Sequence, residues 1–158
     1  DGNNALHLTK VVFERTRGNV FDSIQVLEDL YRKGVLKCVG SRWELKADGI
    51  DLGDILSDDI VDVVTGKIIH SHPDLQQVLT VAAYTRSKFD ADTLRSLVDV
   101  NGPPIAPEDF MEILDLAVLD GLLTNNTGSR IYSFSHDRIQ YAAYSLIPAG
   151  EARDDLRL

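Results

Sequence analysis

The stretch "EDFMEILDLAVLDGLLTNNTGSRIYSF", residues 108–134, contains a helix, a glycine and a hairpin in direct succession. Apolar residues recur at helical spacing at Phe110, Ile113, Leu114 and Ala117, which predicts an amphipathic helix. Gly121 stands where that helix should end. The polar segment "TNNTGS" then separates two apolar runs, as expected for a hairpin. The stretch therefore predicts a helix followed by a two-stranded wing.

Two further helices are predicted upstream of this stretch. Pro73 begins a strongly one-sided helix, and "FDADTLRSLV", residues 89–98, forms a short helix capped near Asp90 or Asp92. The segment "DVNGPPIAP", residues 99–107, is a loop because prolines and a glycine interrupt any regular element. Three helices followed by a hairpin is the order of a winged-helix domain, which we assign to residues 73–148.

The passage at residues 27–45, "LEDLYRKGVLKCVGSRWEL", has the same order of helix, glycine and hairpin as residues 114–134. It follows a helix that begins near Ala5 and ends at "RTRGN", and its own helix covers residues 21–33. A turn at Gly40 and Ser41 predicts the register, with Cys38 opposite Trp43 on an apolar face and burial as the role of Cys38. This hairpin subdomain is assigned to residues 1–47.

Residues 48–72 form a linker and a connecting helix in this interpretation. The segment "KADGIDLGD", residues 46–54, is predicted as a loop, and Ser57 or Asp58 can cap a helix that continues to about His70. The predicted fold class is therefore mainly α, with two small β-hairpins.

Composition restricts the function. The chain has 158 residues, 44% of them hydrophobic, and no apolar run long enough to cross a bilayer. A single cysteine excludes an internal disulfide and indicates a reducing, cytoplasmic compartment. The net charge of −9 argues against nucleic acid or a membrane as the main partner. The helix within residues 108–120 has five carboxylates and no Lys or Arg, so DNA would be repelled.

Two short patterns fail as sites. "TGKI", residues 65–68, ends like a P-loop, but Val61 stands where the motif needs glycine and Ile68 where it needs a hydroxyl. His70 and His72 have no partner cysteines and no helical spacing, so a solvated helix end explains them better than a metal site. No catalytic triad can be assigned from the sequence.

The pattern "SHDR", residues 135–138, allows two interpretations. In one, Ser135 caps a helix and Asp137 lies favourably in its first turn, with His136 incidental. In the other, the free N–H groups of the helix start and the His136 ring bind a phosphate, while Asp137 fixes the ring or braces the wing.

Four phrases in this order resemble a known family: "RTRGNVFDSIQVLEDLYRKGVL" (residues 15–36), "WEL", "LQQVLTVAAYTRSKFDADTL" (residues 75–94) and "FSHDRIQYAAYSLIP" (residues 134–148). The family is the predicted ATPase region of multidomain signalling proteins, the signal-transduction ATPases with numerous domains, related to AAA+ ATPases. In these proteins the region lies between a serine/threonine kinase-like domain and sensor or histidine kinase modules. The resemblance covers roughly residues 8–157.

The resemblance implies that residues 1–47 are a helical lid and that residues 149–158 open a following helical region. A P-loop core upstream of Asp1 would bind ADP or ATP with Mg²⁺, so this fragment alone would not be an enzyme. His136 and Asp137 match a His-Asp pair that contacts the β-phosphate of ADP in the closed state. Gly18 and Asn19 match a lid element near the adenine, in which Val20 stands where the class has proline.

The partners implied are the upstream core and downstream helical or kinase domains of the same chain, with no nucleic acid and no membrane. The alternative is a protein-interaction scaffold with vestigial ATPase ancestry, in agreement with the acidic third helix and with Val20. A DNA-binding winged helix is a further alternative that the charge disfavours.

Overall fold

The structure, a computed structural model, describes residues 2–46, 52–56, 59–85, 87–126 and 128–147. It is mainly helical with two small antiparallel sheets, which confirms the predicted fold class at this level. The chain divides into two compact units, residues 1–63 and residues 64–158. The finer boundaries at residues 47 and 72 and the lid assignment stay predictions, and residues 149–158 lie outside the described ranges.

The elements of the first unit are two helices, a hairpin and a short helix: α1 (Gly2–Thr16), α2 (Val20–Arg32), β1 (Leu36–Val39), β2 (Arg42–Leu45) and α3 (Leu52–Ile55). Next comes α4 (Ile60–Ile69), within which the boundary between the units falls. The hairpin register is as predicted, with Leu36 opposite Leu45 and Cys38 opposite Trp43. Two predictions about this region were wrong. Cys38 is exposed, and residues 52–54 of the predicted loop belong to the helix α3.

The reason for the Cys38 error is that the hairpin uses only one end of its apolar face for the core. Leu36 joins a buried cluster with Val26, Leu30 and Leu52, whereas Trp43 is 63% exposed and contacts the ring of Tyr31. The far end of the hairpin therefore extends past the core. The predicted caps Ser57 and Asp58 lie outside the described residues, and the Asp59 carboxylate accepts a hydrogen bond from the Val61 amide.

The second unit contains the rest of α4 and the following elements: α5 (Pro73–Tyr84), β3 (Lys88–Asp90), α6 (Ala91–Asn101), α7 (Pro107–Leu119), β4 (Leu123–Asn125), β5 (Ile131–Phe134) and α8 (Asp137–Ser145). The predicted helices and the second hairpin are present, and Asp90 is the N-cap of α6. The second sheet has a third strand, β3, that the sequence did not predict. β3 pairs with β5, so the strand order is β3-β5-β4.

The core of the second unit lies between the helices and one face of this sheet. Its fully buried large side chains come from five helices, from β4 and from the residue before β4: Val64, Ile68, Val78, Leu79, Leu94, Phe110, Leu114, Leu122, Leu123 and Ile139. Phe89 of β3 stacks on Tyr132 of β5, with ring centroids 6.4 Å apart. None of the helices in the described ranges combines the length and apolar character needed to cross a membrane.

Candidate functional site

The turn between β5 and α8 holds the residues of the "SHDR" pattern. One of the two interpretations made Ser135 the cap of α8, and this part of it is wrong because the N-cap is His136 and the Ser135 hydroxyl is used elsewhere. The Ser135 hydroxyl donates to the carbonyl oxygens of Gly121 and Leu122, and its amide also donates to Leu122, at 3.1 Å. Ser135 thus attaches the start of α8 to the junction between α7 and β4.

His136 is the N-cap of α8. Its backbone is extended, and its Nδ1 lies 3.2 Å from the Arg138 amide nitrogen as a capping acceptor. The same Nδ1 lies 2.7 Å from Oδ1 of Asp137. The ring is 32% exposed and the Asp137 carboxylate 89% exposed. The structure therefore brings His136 and Asp137 into contact, at a position that borders solvent.

The two contacts of Nδ1 require opposite protonation states. A nitrogen that accepts the Arg138 N–H carries no proton, whereas a nitrogen 2.7 Å from a carboxylate oxygen must carry one. The Arg138 amide has a second acceptor in Asp137 Oδ1, at 2.9 Å. The shorter distance favours Nδ1 as the donor to Asp137, with the Arg138 amide donating to the carboxylate.

Three backbone amides in the first turn of α8, those of Arg138, Ile139 and Gln140, already have acceptors within the chain. Ile139 and Gln140 donate to the His136 carbonyl oxygen at 3.1 and 3.4 Å, and Arg138 donates as described above. These three amides are therefore not free to bind a phosphate, in contrast to the free helix start that the sequence predicted. The side chain that could contact a phosphate here is the His136 ring.

A shallow depression of about 270 Å³ lies beside Asp137, lined also by Ala83, Gln140, Tyr141 and Tyr144. Gln140 of α8 connects this helix to α5, because its side-chain amide donates to the Ala83 carbonyl oxygen at 3.3 Å. Tyr144 packs on Tyr84, with centroids 5.2 Å apart. These tyrosines were not singled out from the sequence, since their spacing resembles an ordinary helix face.

The lid candidates Gly18 and Asn19 lie in the first unit, and His136 and Asp137 lie in the second. Gly18 has φ +81° in the turn between α1 and α2. Asn19 is the N-cap of α2, and its side-chain oxygen accepts from the Asp22 amide at 3.1 Å. Thr16 and Ser23 complete this turn with a hydroxyl contact of 3.0 Å. All these contacts hold α1 and α2 together.

The P-loop-like "TGKI" segment and the two histidines that follow it have local structural roles. Gly66 and Lys67 lie inside α4, and the Lys67 ammonium donates to the Asp120 carbonyl oxygen at 2.8 Å. His70 contacts the Gly66 carbonyl oxygen within its own helix end. His72 is the N-cap of α5, where its Nδ1 accepts from the Asp74 amide at 3.3 Å. Within the described residues, no group of three His, Cys, Asp or Glu side chains could hold a metal ion.

Comparison of the sequence with protein-family models and with curated proteins, and of the structure with solved structures, gave no match.

Proposed function

We propose that this chain is the regulatory lid and winged-helix portion of a cytoplasmic signalling ATPase, in which His136 and Asp137 sense the nucleotide held by an upstream P-loop core. The proposal assigns ADP or ATP, Mg²⁺ and hydrolysis to that core, and kinase modules to the same parent protein. The observation that carries it is the contact of 2.7 Å between His136 Nδ1 and Asp137 Oδ1 at the solvent border of α8.

The element order of the second unit supports the winged-helix part of this proposal. Helix α5, strand β3, helices α6 and α7 and the hairpin β4-β5 follow one another, with the strand order β3-β5-β4. A winged-helix domain has this order of helices, and a strand from the first helical loop joins its wing. The His-Asp pair begins two residues after the end of the last wing strand.

The chemistry of the pair suits a phosphate. A carboxylate that accepts the Nδ1 proton fixes the orientation of the ring and stabilises the imidazolium, which donates from both nitrogens. Nε2 of that imidazolium would donate to a phosphate oxygen of ADP. A charge-assisted hydrogen bond of this kind contributes about 1.5–3 kcal/mol. If the bond forms in only one of two domain arrangements, it shifts their ratio by about tenfold or more.

The test compares two histidines of the second unit in the parent protein. His136 and His72 are both N-cap residues, and Nδ1 of each ring lies near an aspartate. We expect His136→Ala to raise the ADP off-rate by about tenfold, from the loss of one charge-assisted bond. The matched control His72→Ala removes the other N-cap histidine and should leave the off-rate within about twofold of the parent, because an exposed cap affects stability only.

Release of a fluorescent ADP analogue by stopped flow measures both rates. An unchanged off-rate in His136→Ala removes His136 from nucleotide sensing, and an equal increase in both variants shows a general effect of cap loss. Asp137→Asn keeps the side-chain size and removes the charge, so it should raise the off-rate to a smaller extent than His136→Ala.

The protein-interaction scaffold is favoured by a different observation, the exposed acidic outer face of α7. The sequence upstream of Asp1 separates the two functions. An intact Gly-x4-Gly-Lys-Ser/Thr motif there supports nucleotide sensing, and an upstream domain without one supports the scaffold.

A further inference from the structure

The outer face of α7 combines carboxylates with exposed leucines. We call this surface the α7 face, and it consists of Glu108, Asp109, Glu112, Asp115, Leu116 and Leu119. All six residues are exposed, and the leucines strongly so: Leu116 is 51% and Leu119 is 81% exposed. A single exposed leucine is ordinary on a protein surface. Two exposed leucines one helical turn apart, with carboxylates on both sides, are less common.

Helix geometry places these six residues together. At 3.6 residues per turn they occupy a continuous arc of about 120°. The opposite side of the helix carries Phe110, Ile113, Leu114 and Ala117, all buried in the core of the second unit. The α7 face therefore points away from the core that holds the helix.

The charges of the α7 face repel one another. Glu108 and Glu112 are four residues apart, and Glu112 and Asp115 are three apart, spacings at which like charges destabilise a helix by about 0.2–0.5 kcal/mol per pair. The helix has no Lys or Arg of its own. In the described part of the chain, no ion pair involves the four carboxylates of the face. A cationic partner would relieve this repulsion.

We propose that the α7 face binds a basic amphipathic helix of a partner protein. Such a helix would place its leucines or other apolar side chains on Leu116 and Leu119, and its Lys or Arg residues beside the flanking carboxylates. Helices recognise one another in this way through anchors spaced by three and four residues. α7 has 13 residues and a length of about 20 Å, which matches three to four turns of a partner.

Charge complementarity selects this occupant over others. Duplex DNA and anionic lipid surfaces carry the same sign as the face and are repelled by it. A second copy of the chain has a net charge of −9 and is repelled as well. The inference is independent of nucleotide sensing, because no residue of the α7 face belongs to the His136–Asp137 site.

Binding should be weak and dependent on salt. A contact with one helix face buries less than the roughly 1,200 Å² that stable complexes need, so micromolar or weaker affinity is expected. Screening should weaken binding by about fivefold or more between 50 and 300 mM salt.

The experiment titrates the 158-residue chain into a fluorescently labelled 18-residue peptide and follows anisotropy. The peptide has Leu at helical spacing on one face and Lys elsewhere. A scrambled peptide of the same composition, without an apolar face, is the first control. We expect saturable binding of the amphipathic peptide and at least fivefold weaker binding of the scrambled one, because only the former can cover the two leucines.

Two variants test the site on the protein. Glu112→Gln with Asp115→Asn, and separately Leu119→Ser, should each raise the dissociation constant by about fivefold. The charge variant relieves like-charge repulsion and should fold at least as well as the parent, which circular dichroism checks. The matched control is Glu28→Gln with Glu44→Gln, which removes the same charge from exposed positions of the first unit and should change affinity by less than about twofold.

Three outcomes overturn the proposal: no saturable binding of the amphipathic peptide at 50 mM salt, equal binding of both peptides, or an equal effect of the control variant. The last two show attraction to net charge alone. None of them alters the ADP off-rates measured for His136→Ala, so failure of the proposed partner and failure of the proposed nucleotide sensing are distinguishable.

Discussion

Two histidines of the second unit have the same backbone role and different side-chain surroundings. His72 and His136 are each the N-cap residue of a helix, and Nδ1 of each ring lies near the amide nitrogen two positions later, at 3.3 Å for His72 and 3.2 Å for His136. Nδ1 of His72 lies 3.5 Å from a carboxylate and its ring is 71% exposed, whereas Nδ1 of His136 lies 2.7 Å from one and its ring is 32% exposed. The Asp137 carboxylate is 89% exposed and the Asp74 carboxylate 44%, so the His136 pair is the shorter of the two but not the less hydrated. The distance to the carboxylate is therefore what distinguishes His136 from His72.

Asp29 is a buried carboxylate that pairs with two cations of the same helix end. The Asp29 side chain is 2% exposed and pairs with Arg32 and with Lys33, whose Nζ lies 2.8 Å away. Lys33 also donates to the Ile55 carbonyl oxygen at 2.8 Å. Asp29 thus orients the cation that joins the end of α2 to α3.

We expect Asp29→Ala to lower the unfolding free energy of the first unit by about 1–3 kcal/mol, because both cations lose a buried acceptor. Urea titration followed by Trp43 fluorescence measures this change, since Trp43 is the only tryptophan and lies in that unit. The control Glu14→Gln breaks the exposed pair with Lys10 and should cost less than about 0.5 kcal/mol. Equal losses in the two variants would show that the buried pairing contributes nothing.

At the scale of elements, the two units use the same helix ending. After α2, the Gly34 amide donates to Tyr31 and the Val35 amide to Leu30. After α7, the Gly121 amide donates to Val118 and the Leu122 amide to Ala117. Gly34 has φ +71° and Gly121 has φ +70°. This left-handed ending satisfies the last carbonyl groups of each helix and directs the chain into the next strand.

Substitutions at Gly34 test the backbone requirement without a steric clash, because an added Cβ would approach no nearer than 3.6 Å to the flexible end of Lys37. We expect Gly34→Ala to lower the stability of the first unit by about 1 kcal/mol, Gly34→Asn by less and Gly34→Val by more. This order follows from the tolerance of each residue for positive φ, and Trp43 fluorescence in urea measures it. Equal effects of Asn and Val would contradict the backbone explanation.

At the scale of the whole molecule, acidic charge limits the choice of partners. The chain has 25 acidic and 16 basic residues, and the helix that would enter a DNA groove in a winged-helix protein presents carboxylates outward. Phosphate neutralisation supplies most of the affinity in protein–DNA complexes, and this surface cannot supply it.

We therefore expect no saturable binding of a 30-base-pair duplex to the chain at 50 mM salt in an electrophoretic or anisotropy assay. Binding that weakens steeply with added salt would contradict this expectation and would support the DNA-binding alternative. A known basic winged-helix protein provides the positive control for the assay.

Patterns among residues close together in the sequence determined the helices, the first hairpin and the N-cap of α6. Helical periodicity gave the helices, and the turn at Gly40 and Ser41 gave the register of the first hairpin, because both depend on residues close together in the chain. The two candidate caps of α6, Asp90 and Asp92, were predicted for the same reason, and the N-cap is Asp90. The predicted pairing of His136 with Asp137 was equally local, since the two are adjacent.

Only the tertiary structure decided three other features. The three residues of β3 become a strand because β5, about 40 residues later, offers them a hydrogen-bonding edge. The Ser135 hydroxyl does not cap α8 because it donates to the carbonyl oxygens of Gly121 and Leu122, which lie nearby in the fold. Cys38 and Trp43 are exposed because the core ends at Leu36. Each outcome depends on contacts between distant parts of the chain, which periodicity and turn residues do not encode.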